Sequence, residues 1–311
     1  MSNDIPVESL RPRTWDSYIG QEALKERLQI HIQAAKAQHR PVPSILLAGP
    51  AGCGKTSMAK LIAQEREWPF TEWLAPTTAR PRDIYDLIMS TKGVLFIDEI
   101  HRLKPAVQEE LLGPLDENPA FIHDGWKEDL IFPLTIVAAT TEWDKLIRPL
   151  YDRFMIKPPF EPYTDEQMAQ IIRGMMAKIC PERELTEEHA LILGRAAGGR
   201  PRQAKALALA ARDCPTPGPH LVLKLAGITP EGLTLHHLEY LKVLGKNSKG
   251  SAGVKVLAAS LGMPENAVVD LEQGLIRLEL IEYSPGGRTL RPRGRQYLHS
   301  MRAQQQHEEL M

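Results

Sequence analysis

Ile45-Leu46-Leu47-Ala48-Gly49-Pro50-Ala51-Gly52-Cys53-Gly54-Lys55-Thr56-Ser57 decides how this chain is read. From Gly49 to Thr56 it satisfies G-x-x-x-x-G-K-[ST] at every position, after a short apolar run and before Met58, Leu61 and Ile62 at helical spacing. A strand, a glycine-rich loop and a helix, in that order, make a phosphate site. The glycines let successive backbone N–H groups converge on phosphate oxygens, and the helix N-terminus adds partial positive charge. Gly49, Pro50, Ala51, Gly52, Cys53, Gly54 and Ser57 are therefore expected around a nucleotide's phosphates. Lys55 would reach the β- and γ-phosphates of ATP and Thr56 would ligate Mg²⁺. A chance glycine-rich turn is the competing reading, and the strand–loop–helix frame argues against it. Cys53 reads as a small filler residue, not a nucleophile.

Two further apolar runs, Val94-Leu95-Phe96-Ile97 and Thr135-Ile136-Val137-Ala138-Ala139, are short and bounded by turn signals. Strands buried on both faces read this way, so the first half is expected to be α/β with a parallel sheet. The first of these runs ends in Asp98-Glu99. Behind a phosphate loop, Asp98 is placed to hold Mg²⁺ and Glu99 to polarise the attacking water. Asp98-Glu99-Ile100-His101 resembles a D-E-x-H box, yet His101 reads equally as a helix-start residue and receives no role. Thr140, ending the third run, is a candidate for contact with the γ-phosphate; a plain strand-end hydroxyl is the alternative. Arg153 follows in Pro149-Leu150-Tyr151-Asp152-Arg153-Phe154, where spacing alone reads as a surface ion pair with Asp152. Arg202 opens an Ala-rich helix with no obvious partner.

The chain has 311 residues, 38 Lys+Arg against 39 Asp+Glu, and 43% hydrophobic content. This is globular composition with room for two to three domains at about 100–200 residues each. Its balanced charge gives no global attraction to nucleic acid, so any DNA affinity must come from a local patch. No apolar run approaches the roughly 20 residues of a membrane helix. Met1-Ser2-Asn3-Asp4 lacks a signal-peptide pattern, and Cys53, Cys180 and Cys214 include no close pair, so a cytoplasmic protein without a disulfide framework is expected.

From Thr164 the texture becomes helical, with Thr164-Asp165-Glu166-Gln167 as an N-cap and a second helix from Pro201 to Arg212. Cys214 to Pro219 is expected to be a non-helical hinge. Beyond Thr229, helices over Leu233–Leu244, Gly253–Ser260 and Pro264–Leu275 precede an alternating strand from Leu278 to Tyr283 and a turn at Ser284-Pro285-Gly286-Gly287. That order reads as a helix-turn-helix with a wing. From Tyr283 to Arg302 come Arg288, Arg291, Arg293, Arg295 and Arg302 without an acid, a pattern suited to DNA phosphates; a solvated basic face is the alternative. The Gln- and Glu-rich tail after Met301 is expected to fray.

Taken together these residues resemble the AAA+ ATPases, and within them the RuvB branch-migration family, over nearly the whole chain. Leu10-Arg11-Pro12 with Tyr18-Ile19-Gly20-Gln21 looks like the family's adenine-side segment. Phe96 to Leu103 is close to its Walker B signature, Ala139-Thr140-Thr141 to sensor 1, and Gly199-Arg200-Pro201-Arg202 to sensor 2. The resemblance implies an AAA+ P-loop domain over residues 1–163, a helical lid over 164–228 and a winged-helix DNA-binding domain over 229–311. It implies that Leu10, Arg11, Tyr18, Ile19 and Tyr163 line the nucleotide pocket and that Arg202 senses the γ-phosphate in cis. It raises Arg153 to an arginine finger acting in trans within a ring, expected to be a hexamer around duplex or four-way-junction DNA.

Three departures stand out. Tyr151 occupies a position where the family has arginine. The chain is shorter than the family between Asp116 and Leu134, where relatives carry a hairpin that grips RuvA, the junction-binding partner. Here Ala120 to Lys127 reads as a tight hairpin with a type I′ turn at Asp124-Gly125, so a RuvA-type contact around Phe121–Trp126 is expected in truncated form, or a different partner. In the wing, Ser284-Pro285-Gly286-Gly287-Arg288 resembles the family's T-P-R-G-R with one arginine lost. The leading expectation is a DNA-translocating, branch-migrating ATPase. A clamp-loader, helicase-loader, transposition or phage-replication ATPase with another partner competes with it, as does a nucleotide-switched DNA-binding protein without turnover.

Overall fold

The computed structural model describes residues 10–116, 119–123, 126–130, 133–214, 218–247 and 251–308. The chain divides into two compact units, Met1–Tyr163 with Arg200–Arg202, and Thr164–Gly199 with Gln203–Met311.

Apolar runs with no face fit for water build the sheet of the first unit. In chain order its elements are α1 (Glu22–Ala37), β1 (Ile45–Ala48), α2 (Lys55–Glu65), β2 (Phe70–Leu74), α3 (Pro81–Ser90), β3 (Gly93–Asp98), α4 (Pro105–Glu109), β4 (Ala120–His123), β5 (Trp126–Asp129), β6 (Leu134–Thr140) and α5 (Arg148–Arg153). Four strands pair in parallel in the order β1-β6-β3-β2, and bridges from Ile45 to Ile156 and Ala48 to Pro159 extend the edge beside β1. Alternation along each strand supplies two cores. Ile45, Leu47, Val94, Phe96 and Val137 meet α1 and α2 through Leu28, Ile32, Met58 and Ile62. Leu46, Leu95, Ile97, Ile136 and Ala138 meet the other face through Ile84, Ile88, Val107 and Leu150. Each such burial contributes about 1.5–3 kcal/mol. The registers Ala48↔Thr140 and Ile97↔Ala138 bring the carboxyl ends of β1, β6 and β3 to one rim, where α/β sheets bind ligands.

β2 was not among the expected strands. Its residues are only partly buried, so Phe70-Thr71-Glu72-Trp73-Leu74 lacks the continuous apolar signal of its neighbours. The small hairpin β4–β5 pairs His123 with Trp126, the two-residue loop that the sequence called for, although Asp124 and Gly125 themselves lie outside the described residues. Phe121 is 4% exposed and lies in the core with its ring 5.0 Å from that of Tyr85. Its side chain anchors the hairpin to the core.

The second unit contains α6 (Asp165–Ile179), α7 (Glu187–Ala197), α8 (Pro201–Asp213, its first two residues in the first unit), α9 (Pro219–Ala226), α10 (Leu235–Lys246), β7 (Ser251–Ala252), α11 (Val254–Leu261), α12 (Glu265–Arg277), β8 (Ile281–Ser284), β9 (Gly287–Leu290) and α13 (Pro292–Glu308). Thr164 and Gln167 cap α6 reciprocally, as their spacing required. Pro219 opens α9 instead of closing a hinge, because proline is tolerated in a helix's first turn; residues 215–217 lie outside the described set. Leu278 ends α12, so the strand begins at Ile281, later than its alternation suggested. Helix α11, Gly262 in the left-handed region and α12 form the helix-turn-helix, and β7-β9-β8 form the wing sheet. A Cβ on Gly287 (φ 115°) would stand 2.4 Å from the Ala252 carbonyl oxygen, so this wing-turn residue must be glycine for β7 to pair. The tail continues α13 as far as Glu308 instead of fraying at Met301; Gln, Glu and Ala are good helix formers. All three cysteines are buried, and none is in a disulfide. Among the described residues no helix is long and apolar enough to cross a membrane.

Candidate active site

The loop between β1 and α2 is held by two tyrosines. Tyr18 Oη donates to Gly54 O (3.4 Å), and Tyr163 Oη donates to Cys53 O (3.2 Å) and lies 3.4 Å from Tyr18 Oη. Burial, reinforced by Tyr163, holds the Tyr18 phenol neutral well above its usual range, and burial pushes Tyr163 up to about 12. Both therefore act as donors at neutral pH. Gly54 (φ 110°) leads into α2, and a Cβ there would stand 2.3 Å from Tyr18 Oη, so the last loop glycine serves both the turn and this close approach. Lys55, 6% exposed, donates from Nζ to Gly49 O (2.7 Å) and Pro50 O (3.0 Å). Thr56 and Ser57 occupy the first turn of α2, half-buried. Cys53 is buried and burial raises its thiol pKa, which fits a filler.

Arg202 reaches the same loop through its backbone. Its N–H donates to Gly52 O (3.4 Å), and a Cβ on Gly52 (φ 77°) would meet Arg202 Cβ at 2.8 Å. Leu10 is buried, Ile19 half-buried, and Arg11 Nη1 is buried without a hydrogen-bond partner among the described residues. A buried guanidinium donor left open in this way suits an anionic or polar ligand.

At the end of β3, Asp98 Oδ1 accepts from Glu99 N (3.0 Å). Partial burial, and then the neighbouring Glu99 charge, raise the Asp98 pKa, so its carboxylate is poised for a cation. Glu99 itself has φ 52°, a left-handed backbone that costs a non-glycine residue about 1–3 kcal/mol and that collects at functional sites. Its Oε2 is gripped twice: Thr141 Oγ1 donates to it (3.2 Å), and His101 Nδ1 lies 3.2 Å away. Thr140 is fully buried, with Oγ1 3.0 Å from His101 Nδ1 and accepting from Glu142 N (3.0 Å). The hydroxyl that touches Glu99 belongs to Thr141, a contact that the sequence alone did not indicate. Arg153, ending α5, donates from Nη1 to Leu112 O (2.8 Å) and Asp116 Oδ2 (2.5 Å), while Asp152 pairs with Arg148 (2.9 Å). Spacing alone had paired Arg153 with Asp152, and the fold supplies a different acid.

The family model of the Holliday junction DNA helicase RuvB P-loop domain matches residues 10–159, and that of the RuvB C-terminal winged-helix domain matches residues 230–299. RuvB of Thermotoga maritima, described as a Holliday junction branch migration motor, is 31% identical with TM-score 0.82, covering 93% of this chain and 98% of that one. The chain belongs to the RuvB family. A point variant of the same Thermotoga RuvB is 31% identical with TM-score 0.83 over 94% of this chain and 98% of its own. The ADP-bound AAA domain of FIGL-1, at 19% identity and TM-score 0.51 over 65% of this chain and 73% of its own, shares the fold alone.

In the RuvB winged helix of this chain, the arginine cluster is less free than its sequence implied. Arg288 makes two bonds to Glu272 (2.8 and 3.2 Å), a fully buried carboxylate of α12 that also accepts from Tyr240 Oη (3.0 Å) and Tyr283 Oη (2.8 Å). Arg291 lies 3.6 Å from Glu282 and 4.0 Å from Glu279. Arg293 and Arg295 are exposed, with Arg295 also donating to Leu290 O (3.1 Å). The absence of acids after Tyr283 misled because the hairpin returns this stretch against acids that precede it. One signal for Glu272 was available: it stands at apolar helical spacing between Val268 and Leu275.

Proposed function

We propose that this chain is an ATP-driven DNA motor of the RuvB type, acting in the cytoplasm to promote Holliday junction branch migration in recombination and repair. The observation that carries the reading is the pairing, on one chain, of a RuvB P-loop domain with a RuvB winged helix. That pairing favours the motor over a loader or accessory ATPase. A nucleotide switch without turnover is opposed by the presence of Lys55, Thr56, Asp98, Glu99 and Arg202 in one chain, behind a loop braced by Tyr18 and Tyr163.

Bound Mg²⁺ would supply charge neutralisation on the transferring phosphate, held by Thr56 and Asp98; the raised pKa of Asp98 supports that fit. The loop backbone cradles the phosphates, and Lys55 exchanges the Gly49 and Pro50 carbonyls for β- and γ-phosphate oxygens. Glu99 takes a proton from the attacking water. Arg202 contacts the γ-phosphate in cis, and Arg153 of a neighbouring copy contacts it in trans within a ring, a hexamer by family. Residues 164–228 form the lid, and 229–311 carry the DNA-binding winged helix, with Arg291, Arg293 and Arg295 facing phosphates. A RuvA-type protein docks through the β4–β5 hairpin.

ATP-dependent dissociation of a synthetic four-way junction, with and without a RuvA-type protein, tests the reading. Movement that requires ATP and is lost in Glu99→Gln supports the motor. Duplex-stimulated ATPase with no junction movement under either condition replaces it with the loader.

A further inference from the structure

His101 stands in the Walker B segment but has no part in the mechanism above. Its side chain is only 11% exposed, and every polar edge of its ring is engaged. Nδ1 faces Glu99 Oε2 (3.2 Å) and Thr140 Oγ1 (3.0 Å), and Nε2 faces Glu142 Oε2 (2.9 Å). Glu142 is fixed in turn, with its Oε1 2.6 Å from Lys145 Nζ and its N–H on Thr140 Oγ1 (3.0 Å). The imidazole therefore bridges the carboxylate at the end of β3 to the segment that leaves β6.

We propose that His101 is a positioning residue for Glu99, held in place by Glu142, and that together with Thr141 it decides which carboxylate oxygen meets the attacking water. The inference rests on Glu99 being the base. Three features of the geometry carry it. Glu99 sits in a strained left-handed backbone, so its direction is not set by ordinary strand geometry. Thr141 and His101 converge on the same oxygen, Oε2, and this fixes the plane of the carboxylate and leaves Oε1 for water. A ring with a donor or acceptor on both edges cannot turn without losing a contact on each side. General-base catalysis contributes about 10²–10⁴-fold and depends on hydrogen-bond reach, so a base free to rotate loses much of that factor. Glu142 also begins the short segment that runs through Trp143 and Lys145 to α5, the helix bearing Arg153. The finger-bearing segment and the subunit's own base are thus joined through one imidazole.

Steady-state ATPase of the full chain on duplex DNA tests this with His101→Ala, His101→Gln, Glu142→Gln and the double variant His101→Ala/Glu142→Gln. His101→Ala is expected to lower kcat about 10–100-fold, with KM for ATP and ATP affinity within about 2-fold of wild type. His101→Gln, which keeps a donor, recovers part of the loss. Glu142→Gln lowers kcat about 3–10-fold, and the double variant is no slower than His101→Ala, because Glu142 acts only through the ring. Unchanged kcat in His101→Ala, a rise in KM with kcat intact, or losses that multiply in the double variant would each overturn the proposal. If His101→Ala does not fold, Glu142→Gln alone decides, since it alters a half-buried side chain without changing its size. Glu99→Gln, run in parallel, keeps the two readings apart. Its retention of turnover sinks the base assignment, whereas its loss of turnover with His101→Ala at wild-type kcat sinks only the positioning.

Discussion

Asp98 is a carboxylate kept where charge is unwelcome: burial opposes its ionisation first and the Glu99 charge second, and both raise its pKa. The sign of the consequence follows from linkage. A folded pKa above the unfolded one means that the fold binds the proton more tightly than the unfolded chain does. Folding stability is then highest below the unfolded value, falls as pH rises from there through the raised folded value, and stays lower above it. Asp98→Asn removes that burden. The ligand-free variant is expected to melt above wild type at about pH 7, and the difference to shrink as pH falls toward about 4. Differential scanning fluorimetry at the two pH values checks this, and an equal difference at both would show that burial does not set the Asp98 proton. The same variant should lose the thermal protection that Mg-ATP gives wild type. At this scale the phosphate loop was legible because its spacing is imposed by backbone geometry around a phosphate. The Thr141–Glu99–His101–Glu142 constellation was not, because it joins residues across two strands whose register no local pattern encodes.

Among the elements, the wing shows how far a charge count along the chain can mislead. Arg288 resembles a phosphate contact in sequence, yet its guanidinium closes over Glu272, which is 0% exposed, and that bond raises its own pKa. Removing one partner of a buried pair costs about 3–5 kcal/mol, mostly for the charge left behind. Arg288→Ala is therefore expected to lower the stability of the second unit by about that amount, and Arg288→Ala/Glu272→Gln to recover part of it, since the amide still accepts from a tyrosine hydroxyl without a buried charge. Equilibrium denaturation with a winged-helix probe measures both. Exposed Arg293 should behave oppositely: Arg293→Ala leaves stability within about 0.5 kcal/mol and lowers the slope of log affinity against log salt by about 1. If Arg288→Ala folds as well as wild type and weakens DNA binding uniformly, the wing arginine is a phosphate contact after all. The main strands and helices were readable because apolar periodicity is local. Edge strand β2 and helix α9 were not, because the one is half-polar and the other begins with a proline that reads as a breaker.

For the whole molecule the question is whether one copy holds a complete site. Within its own subunit Arg153 directs Nη1 at Leu112 O and Asp116, while Lys55 and Arg202 contact the loop and Asp98 lies within electrostatic reach of Lys55. A finger acting in trans must leave those partners and reach the nucleotide of a neighbour. The exposed Arg153–Asp116 pair holds it by about 0–1 kcal/mol, little beside the 10³–10⁵-fold that such a finger supplies. Arg153→Ala is then expected to bind ATP at wild-type affinity and to hydrolyse it at least about 10³-fold more slowly. Mixing it with Glu99→Gln separates trans from cis. Where a Glu99→Gln subunit lends its intact Arg153 to an Arg153→Ala subunit with intact Glu99, the interface is whole. Random head-to-tail mixing at equal amounts makes about a quarter of the interfaces whole, so turnover should return to roughly that share of wild type and fall away as either variant dominates. If both residues acted within one copy, no mixing ratio would restore turnover, because neither variant contains both.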